Sequence, residues 1–256
     1  MEKKSLSLEL EKLEHNILLV TLNRPKASNA FDTRMAEEII KLFEQLINKE
    51  NNNRVVILTG SGEKSFCAGG DLKERQSMSD IEWELQHKVF ERMIRSVLAC
   101  PIPIIASVNG AAYGGGCELA AAADFIYAAN TAVFAQTETR LGIIPGAGGT
   151  QNLTRAVGER RAKEIIYTGY PFSAKEGMEW GLVNAVYPLD SLMSKTITTA
   201  EQISKNAPIA IRQAKLAIHR GMQMSLSEGL AFEIEAYNKT IKTNDRLEGV
   251  NAFNQN

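Results

Sequence analysis

The sequence predicts an α/β chain with an all-helical C-terminal region, and two observations carry that expectation. Three short apolar runs, "RVVILTG", "IPIIASVNG" and "DFIYAA", each lead into a loop or helix. This is the pattern of strands buried on both faces and paired in parallel. After about Ser191 the chain reads as helix almost throughout, in "APIAIRQAKLAIHRGM" and "SLSEGLAFEIEAYNKTIKT". The change near Asp190 divides it into an α/β core, residues 1–190, and a helical region, residues 191–256.

The elements follow in order. "SLSLELEKLEHNILLVTLN" alternates apolar and polar residues and predicts a β-hairpin turning near Glu14–Asn16. "NRPKASNAFD" is a polar loop punctuated by Pro25. Asp32 or Thr33, both good N-cap types, opens a helix running to about Lys49. The strand "RVVILTG" precedes a loop, "SGEKSFCAGGD". A helix from about Asp80 to Ala99 is stopped by Pro101 and Pro103. The second strand leads into "AAYGGGCELAAAADF", three glycines opening an alanine-rich helix, and the third strand follows.

Composition bounds the function. The 256 residues are 44% hydrophobic and 23% charged, enough for a large core in one extended domain. A net charge of −1 gives no general attraction to nucleic acid or anionic membrane. Cys67, Cys100 and Cys117 show no CxxC pairing, and His15, His87 and His219 are scattered. No metal site is expected, and the cysteines read as small buried thiols in a reducing cytosol. "MEKKSLSLELEKLE" lacks the apolar centre of a secretory signal, and no apolar stretch of ~20 residues suggests a membrane span. A cytoplasmic location is expected.

Two nucleotide motifs fail. In "TGSGEKS" the P-loop glycine positions hold Glu63 and Leu58, and an acidic side chain repels phosphate. Neither "YGGGCE" nor "PGAGGTQ" has the G-x-G-x-x-G spacing of a dinucleotide turn.

The glycines suit another use. At a helix start, residues without side chains expose N–H groups that lack intrahelical partners and sit at the positive end of the dipole. Gly114, Gly115 and Gly116 can present such donors, and the turn "FCAGGD" can present another. Two amides converging on one carbonyl oxygen would make an oxyanion hole. Glu118 lies in the first turn of the same helix, among small residues that suit close packing and partial enclosure. Glu138, in "AQTETRLGIIPGAGGTQ", reads alone as a solvated surface residue. Two carboxylates in unlike environments could divide acid and base work.

Together these segments resemble the enoyl-CoA hydratase/isomerase, or crotonase, superfamily. The likeness runs through "NRPKASNAFD", "FCAGGDLKE", "VNGAAYGGGCELAAAADF", "TETRLGIIPGAGGTQ" and "RLEGVNAF". It implies a crotonase-like spiral of ββα units with a C-terminal helical region, assembled as a homotrimer or homohexamer. It places oxyanion donors on the N–H groups of Ala68 and Gly115, and catalytic glutamates at Glu118 and Glu138. Both glutamates present resembles a hydratase; an isomerase is the alternative. The implied substrate is a trans-2-enoyl-CoA thioester, with Glu118 activating water and Glu138 supplying a proton at C2. No separate cofactor is implied, coenzyme A being part of the substrate. Lys26, Ala27 and Gly70 would line the CoA groove, and Phe253 would approach CoA on an adjacent subunit. The chain departs from many relatives in ending at "NQN", without a basic tail.

In "DLKER", "TRLGIIPGAGGTQ", "KLAIHRGM" and "DRLEG" the chain resembles the methylglutaconyl-CoA hydratase branch, and short-chain enoyl-CoA hydratases share many of these residues; the resemblance implies fatty-acid or branched-chain amino-acid catabolism. A dicarboxylic substrate would need a cation, for which Arg75 and Arg140 are candidates, although exposure statistics favour both as surface residues. RNA binding, associated with one branch, is not expected. The helix carrying Arg34, Lys41 and Lys49 also carries Glu37, Glu38 and Glu44, a mixed solvated face.

Overall fold

The protein is described by a computed structural model covering residues 7–47 and 51–255. Strands β1 (Leu8–Leu13) and β2 (Ile17–Leu22) form the expected antiparallel hairpin, pairing Leu8 with Leu22 and Leu13 with Ile17. At its turn His15 and Asn16 both take φ 58°, a conformation these residue types tolerate. Helix α1 (Thr33–Leu46) starts where expected, the Asp32 carboxylate accepting from Met35 N at 2.8 Å. Met35, Ile39, Phe43 and Leu46 face the core at helical spacing. Its expected end near Lys49 lies outside the described residues.

Next come β3 (Val55–Gly60), β4 (Ser65–Cys67), α2 (Leu72–Arg75) and α3 (Asp80–Leu98). Ser79 and Glu82 close a capping box at the start of α3. They are followed by β5 (Ile104–Val108), β6 (Ala111–Tyr113), α4 (Gly115–Ala121), β7 (Phe125–Ala129) and β8 (Val133–Ala135). The remainder is α5 (Gly149–Val157), α6 (Glu159–Thr168), β9 (Phe172–Ser173), α7 (Ala174–Glu179), β10 (Ala185–Tyr187) and helices α8 (Leu189–Ser204), α9 (Pro208–Gly221), α10 (Leu226–Ile241) and α11 (Asn244–Gln255).

Two sheets result, of six strands (β1-β2-β3-β5-β7-β10) and four (β4-β6-β8-β9). The pairs β3/β4, β5/β6 and β7/β8 each give their first strand to the large sheet and their second to the small one. The chain therefore advances as a spiral. The expected parallel pairing holds for β3, β5 and β7. Every residue of β3 and β5 is buried, as a strand covered on both faces requires. The main core lies between the sheets and α1, α3 and α4. The outer face of the large sheet is covered by α8, where Ala200 meets Ile17, Val55, Ile57 and Ile105.

The C-terminal helices begin with α8 at Leu189, and this first helix is part of the core packing. Helices α9 and α10 pack mainly on each other. Lys215 on α9 ties this pair to the core, its ammonium donating to Asp124 Oδ2 at 2.7 Å and to the Ile102 carbonyl at 2.8 Å. Among the described residues no helix is long and apolar enough to cross a membrane.

Candidate active site

Strands β4, β6 and β8 are adjacent and parallel. The segments leaving their C-terminal ends therefore lie side by side: residues 68–70, 114–118 and 136–138. This register brings together residues that the sequence separates by up to seventy positions.

The glycines at this edge are required by contact. Gly114 adopts φ 51°, ψ −123°, a conformation that side chains resist, and its N–H donates to the Ala135 carbonyl at 2.8 Å. A Cβ on Gly115 would lie 2.5 Å from Phe31 Cζ, and one on Gly116 would lie 2.0 Å from the Cys67 carbonyl oxygen. A Cβ on Gly69 would lie 3.0 Å from Gly115 N, so the 68–70 turn rests directly against the start of α4.

One expected donor needs correction. The Ala68 N–H already donates to the Ser28 carbonyl at 3.1 Å. The free amide in this turn is that of Gly70. Phe31 bridges the turn with both its polar groups, donating to Gly69 O at 2.9 Å and accepting from Asp71 N at 3.0 Å. In such a parallel bridge the N–H of Gly70 faces away from Phe31. Among the described residues it has no acceptor, and neither has that of Gly115. Gly70, expected in the CoA groove, thus has the uncommitted amide that was expected at Ala68. Sequence cannot say which amide of a turn is already committed.

Glu118 is 2% exposed. Its Oε1 accepts from Ala147 N at 2.9 Å and Gly149 N at 2.7 Å, where the second glycine turn opens α5. A Cβ on Gly149 would lie 2.8 Å from that oxygen. Burial pushes the Glu118 carboxyl above its ordinary value, and the two amides pull it back. Oε2 accepts no hydrogen bond among the described residues.

Glu138 begins a short 3-10 turn, Glu138–Leu141, and is 8% exposed. The expectation of a solvated residue is overturned: β8 carries the segment inward, beneath Gly114. A Cβ on Gly114 would lie 3.0 Å from Glu138 Oε1. Burial raises its pKa to about 7, with the Glu118 charge adding to the shift and nearby backbone amides opposing it. Gln136 is fully buried, and its amide, assigned with the nitrogen toward the carboxylate, donates to Glu138 Oε2 at 2.9 Å. Gln136, Ala147 and Gly149 were not singled out from sequence. The glycine turn holding the last two was visible, but its partner was not.

The remaining expected residues are more scattered. Lys26 is exposed on the short turn Pro25–Ala27, beside Ser28, which accepts the Ala68 N–H. Phe253 is 84% exposed on α11. Arg140 is on the surface, its chain lying over Gly169. Arg75 is not a surface residue: it is 8% exposed, with its Nε donating to Gln86 Oε1 at 2.7 Å. The thiols of Cys67, Cys100 and Cys117 are free and buried, and burial pushes that of Cys67 up to about 12.

The sequence profile of the enoyl-CoA hydratase/isomerase family matches residues 12–256. The chain belongs to that family. It is 47% identical over 244 residues to the YngF protein of Bacillus subtilis, covering 95% of this chain and 93% of YngF. Its identity to the short-chain-enoyl-CoA hydratase of Clostridium acetobutylicum is 42% over 246 residues, covering 95% and 93%. The crystal structure of enoyl-CoA hydratase from Bacillus anthracis superposes with a TM-score of 0.95 at 46% identity, covering 97% of this chain and 96% of that one. The spiral described above is therefore the crotonase fold, and the protein is an enzyme of the enoyl-CoA hydratase/isomerase family.

Proposed function

We propose that this family member is a hydratase, adding water reversibly across the 2,3 double bond of a trans-2-enoyl-CoA thioester. The observation that supports this reading is a pair of buried carboxylates of unequal character beside two unoccupied amides. The Gly70 and Gly115 N–H groups would hold the thioester oxygen. They gain strength as negative charge moves onto that oxygen, which is the condition for lowering the barrier. Glu118, its charge supported by two amides through Oε1, takes a proton from water with Oε2 as the water oxygen attacks C3. Glu138, which keeps its proton up to about pH 7, delivers it to C2. Dehydration runs the same steps backward. Water and protons suffice, so no cofactor is needed beyond the coenzyme A of the substrate.

Lys26 and Ala27 would line the nucleotide end of the groove, with Phe253 closing it from a neighbouring subunit of a trimer or hexamer. A cytosolic setting suits the three free thiols.

The test is a hydration assay with crotonyl-CoA, following loss of the enoyl thioester absorbance. Wild-type protein should hydrate it. Glu118→Gln and Glu138→Gln should each lose about 10²–10⁴ in kcat. A double-bond shift without net water addition would assign the isomerase activity instead, and normal turnover in both variants would end the mechanism.

A further inference from the structure

His87 lies half-buried on α3, and neither of its ring nitrogens makes a hydrogen bond among the described residues. Its imidazole packs on Gly146: a Cβ there would lie 2.3 Å from His87 Cε1 and 2.7 Å from Nε2. Gly146 is not in the left-handed region, so its backbone would accept a side chain. The ring of His87 occupies the place that side chain would take.

Gly146 belongs to the turn that grips Glu118. Residues 147 and 149 meet the carboxylate, their amides donating to Oε1 at 2.9 Å and 2.7 Å. Residues 146 and 148 meet α3, a Cβ on Gly148 lying 3.5 Å from Ile94 Cγ2. The turn is thus held between Glu118 and one face of α3, where His87, Phe90 and Ile94 follow at helical spacing. The same face reaches the other half of the site, since a Cβ on Gly70 would lie 3.2 Å from Phe90 Cε2.

The turn needs such a wall. Three of its five residues from 145 to 149 are glycines, whose backbone has the most freedom to lose. A donor fixed in advance costs no reorganisation at the moment of reaction, whereas one that wanders supports a charge poorly. The N–H of Ala147 sits on the peptide unit that leaves the Gly146 Cα. A shift at Gly146 therefore moves the donor directly.

We infer that His87 is a positioning residue, a wedge on Gly146 that keeps the Ala147 amide on Glu118 Oε1. The inference deepens the hydratase reading and rests on it for what Glu118 does. The 142–149 segment carries no charged side chain, and Glu91, one turn on along α3, is the charge that acts together with the imidazole. A phenyl ring at position 87 separates the shape of the wedge from its charge.

Full-length wild type, His87→Ala and His87→Phe are compared in steady-state hydration of crotonyl-CoA across pH. His87→Ala should lose about 10-fold or more in kcat, with KM little changed. Glu118 must be charged to take a proton, and a weakened amide contact raises its pKa. The acid-side limb of kcat/KM should therefore move to higher pH in His87→Ala. His87→Phe should rescue most of kcat and return the limb. In a Glu118→Gln background, His87→Ala should add no further loss, because the group it acts through is gone. Unchanged kcat and limb in His87→Ala overturn the inference. A change in KM alone also overturns it, placing His87 on the substrate. So do losses that multiply with those of Glu118→Gln, or failure of the phenyl ring to rescue. A wild type that hydrates no enoyl thioester ends the hydratase reading by itself. Thermal melts then decide the wedge: a loss of melting temperature in Gly146→Ala that vanishes in the His87→Ala background upholds it, and equal losses in both backgrounds overturn it.

Discussion

Glu138 and Glu118 lie within each other's electrostatic reach, yet the fold treats them differently. Glu118 has two amides on one oxygen, whereas Glu138 is buried and feels its neighbour's charge. With a pKa of about 7, Glu138 is protonated below neutrality and charged above it. Hydration kcat/KM should therefore fall as pH rises through about 7, while dehydration, which needs the carboxylate as base, should rise. Parallel profiles in the two directions would contradict the assignment. The same shift affects stability. Because the folded value exceeds the unfolded one, the linked stabilisation is complete below about 4.5 and lost as pH rises through about 7. Glu138→Gln cannot ionise, so its melting temperature should exceed that of wild type by a few degrees at pH 8 and by little at pH 5. At this scale the sequence was half informative. Glu118 announced itself by standing among small residues. Glu138 did not, because its burial depends on a neighbouring strand.

At the scale of elements, the site depends on tight contacts between turns. A Cβ at position 116 would strike the Cys67 carbonyl, backbone that cannot rotate away. Gly116→Ala should cost about 3 kcal/mol or more in a denaturant melt, and a near-neutral result would mean that β4 and α4 are not so closely apposed. Asn29, fully buried, donates to the carbonyls of Ser61 at 3.0 Å and Ser65 at 2.9 Å and accepts from Arg24 N at 3.0 Å. It staples the loop that precedes the donor turn. Asn29→Ala leaves those groups unpaired and should cost on the order of 2–3 kcal/mol, with an accompanying loss of activity. The hairpin, α1, α3 and the strands β3, β5 and β7 were legible because each is long enough to show a period or an uninterrupted apolar run. The strands of the small sheet were not. At two or three residues each, they leave no periodicity, and only pairing defines them.

At the scale of the whole molecule, the C-terminal helices present an unusual surface. Ile218, Met222, Leu226, Leu230, Ile234 and Tyr237 on and between α9 and α10 are all exposed. An apolar surface of this kind marks an interaction site. Together with the assembly implied by the family resemblance, it leads to the expectation of a trimer or a pair of trimers. Light scattering in solution should give three or six times the 28.2 kDa of the chain. Glu substitutions at Leu230 and Ile234 should shift that mass toward one chain, and an unaltered mass would place the subunit contact elsewhere.

By itself the sequence determined the α/β class, the helical C-terminal region, the glycine turn and the family resemblance, because local periodicity, backbone freedom and ordered motifs are written along the chain. The tertiary structure alone decided that Glu138 is buried, that Gly70 rather than Ala68 holds the free amide, and that Arg75 lies inside. Each of those outcomes depends on which groups a distant segment covers or engages, and that is fixed only when the parallel strands pair and carry their ends to one edge.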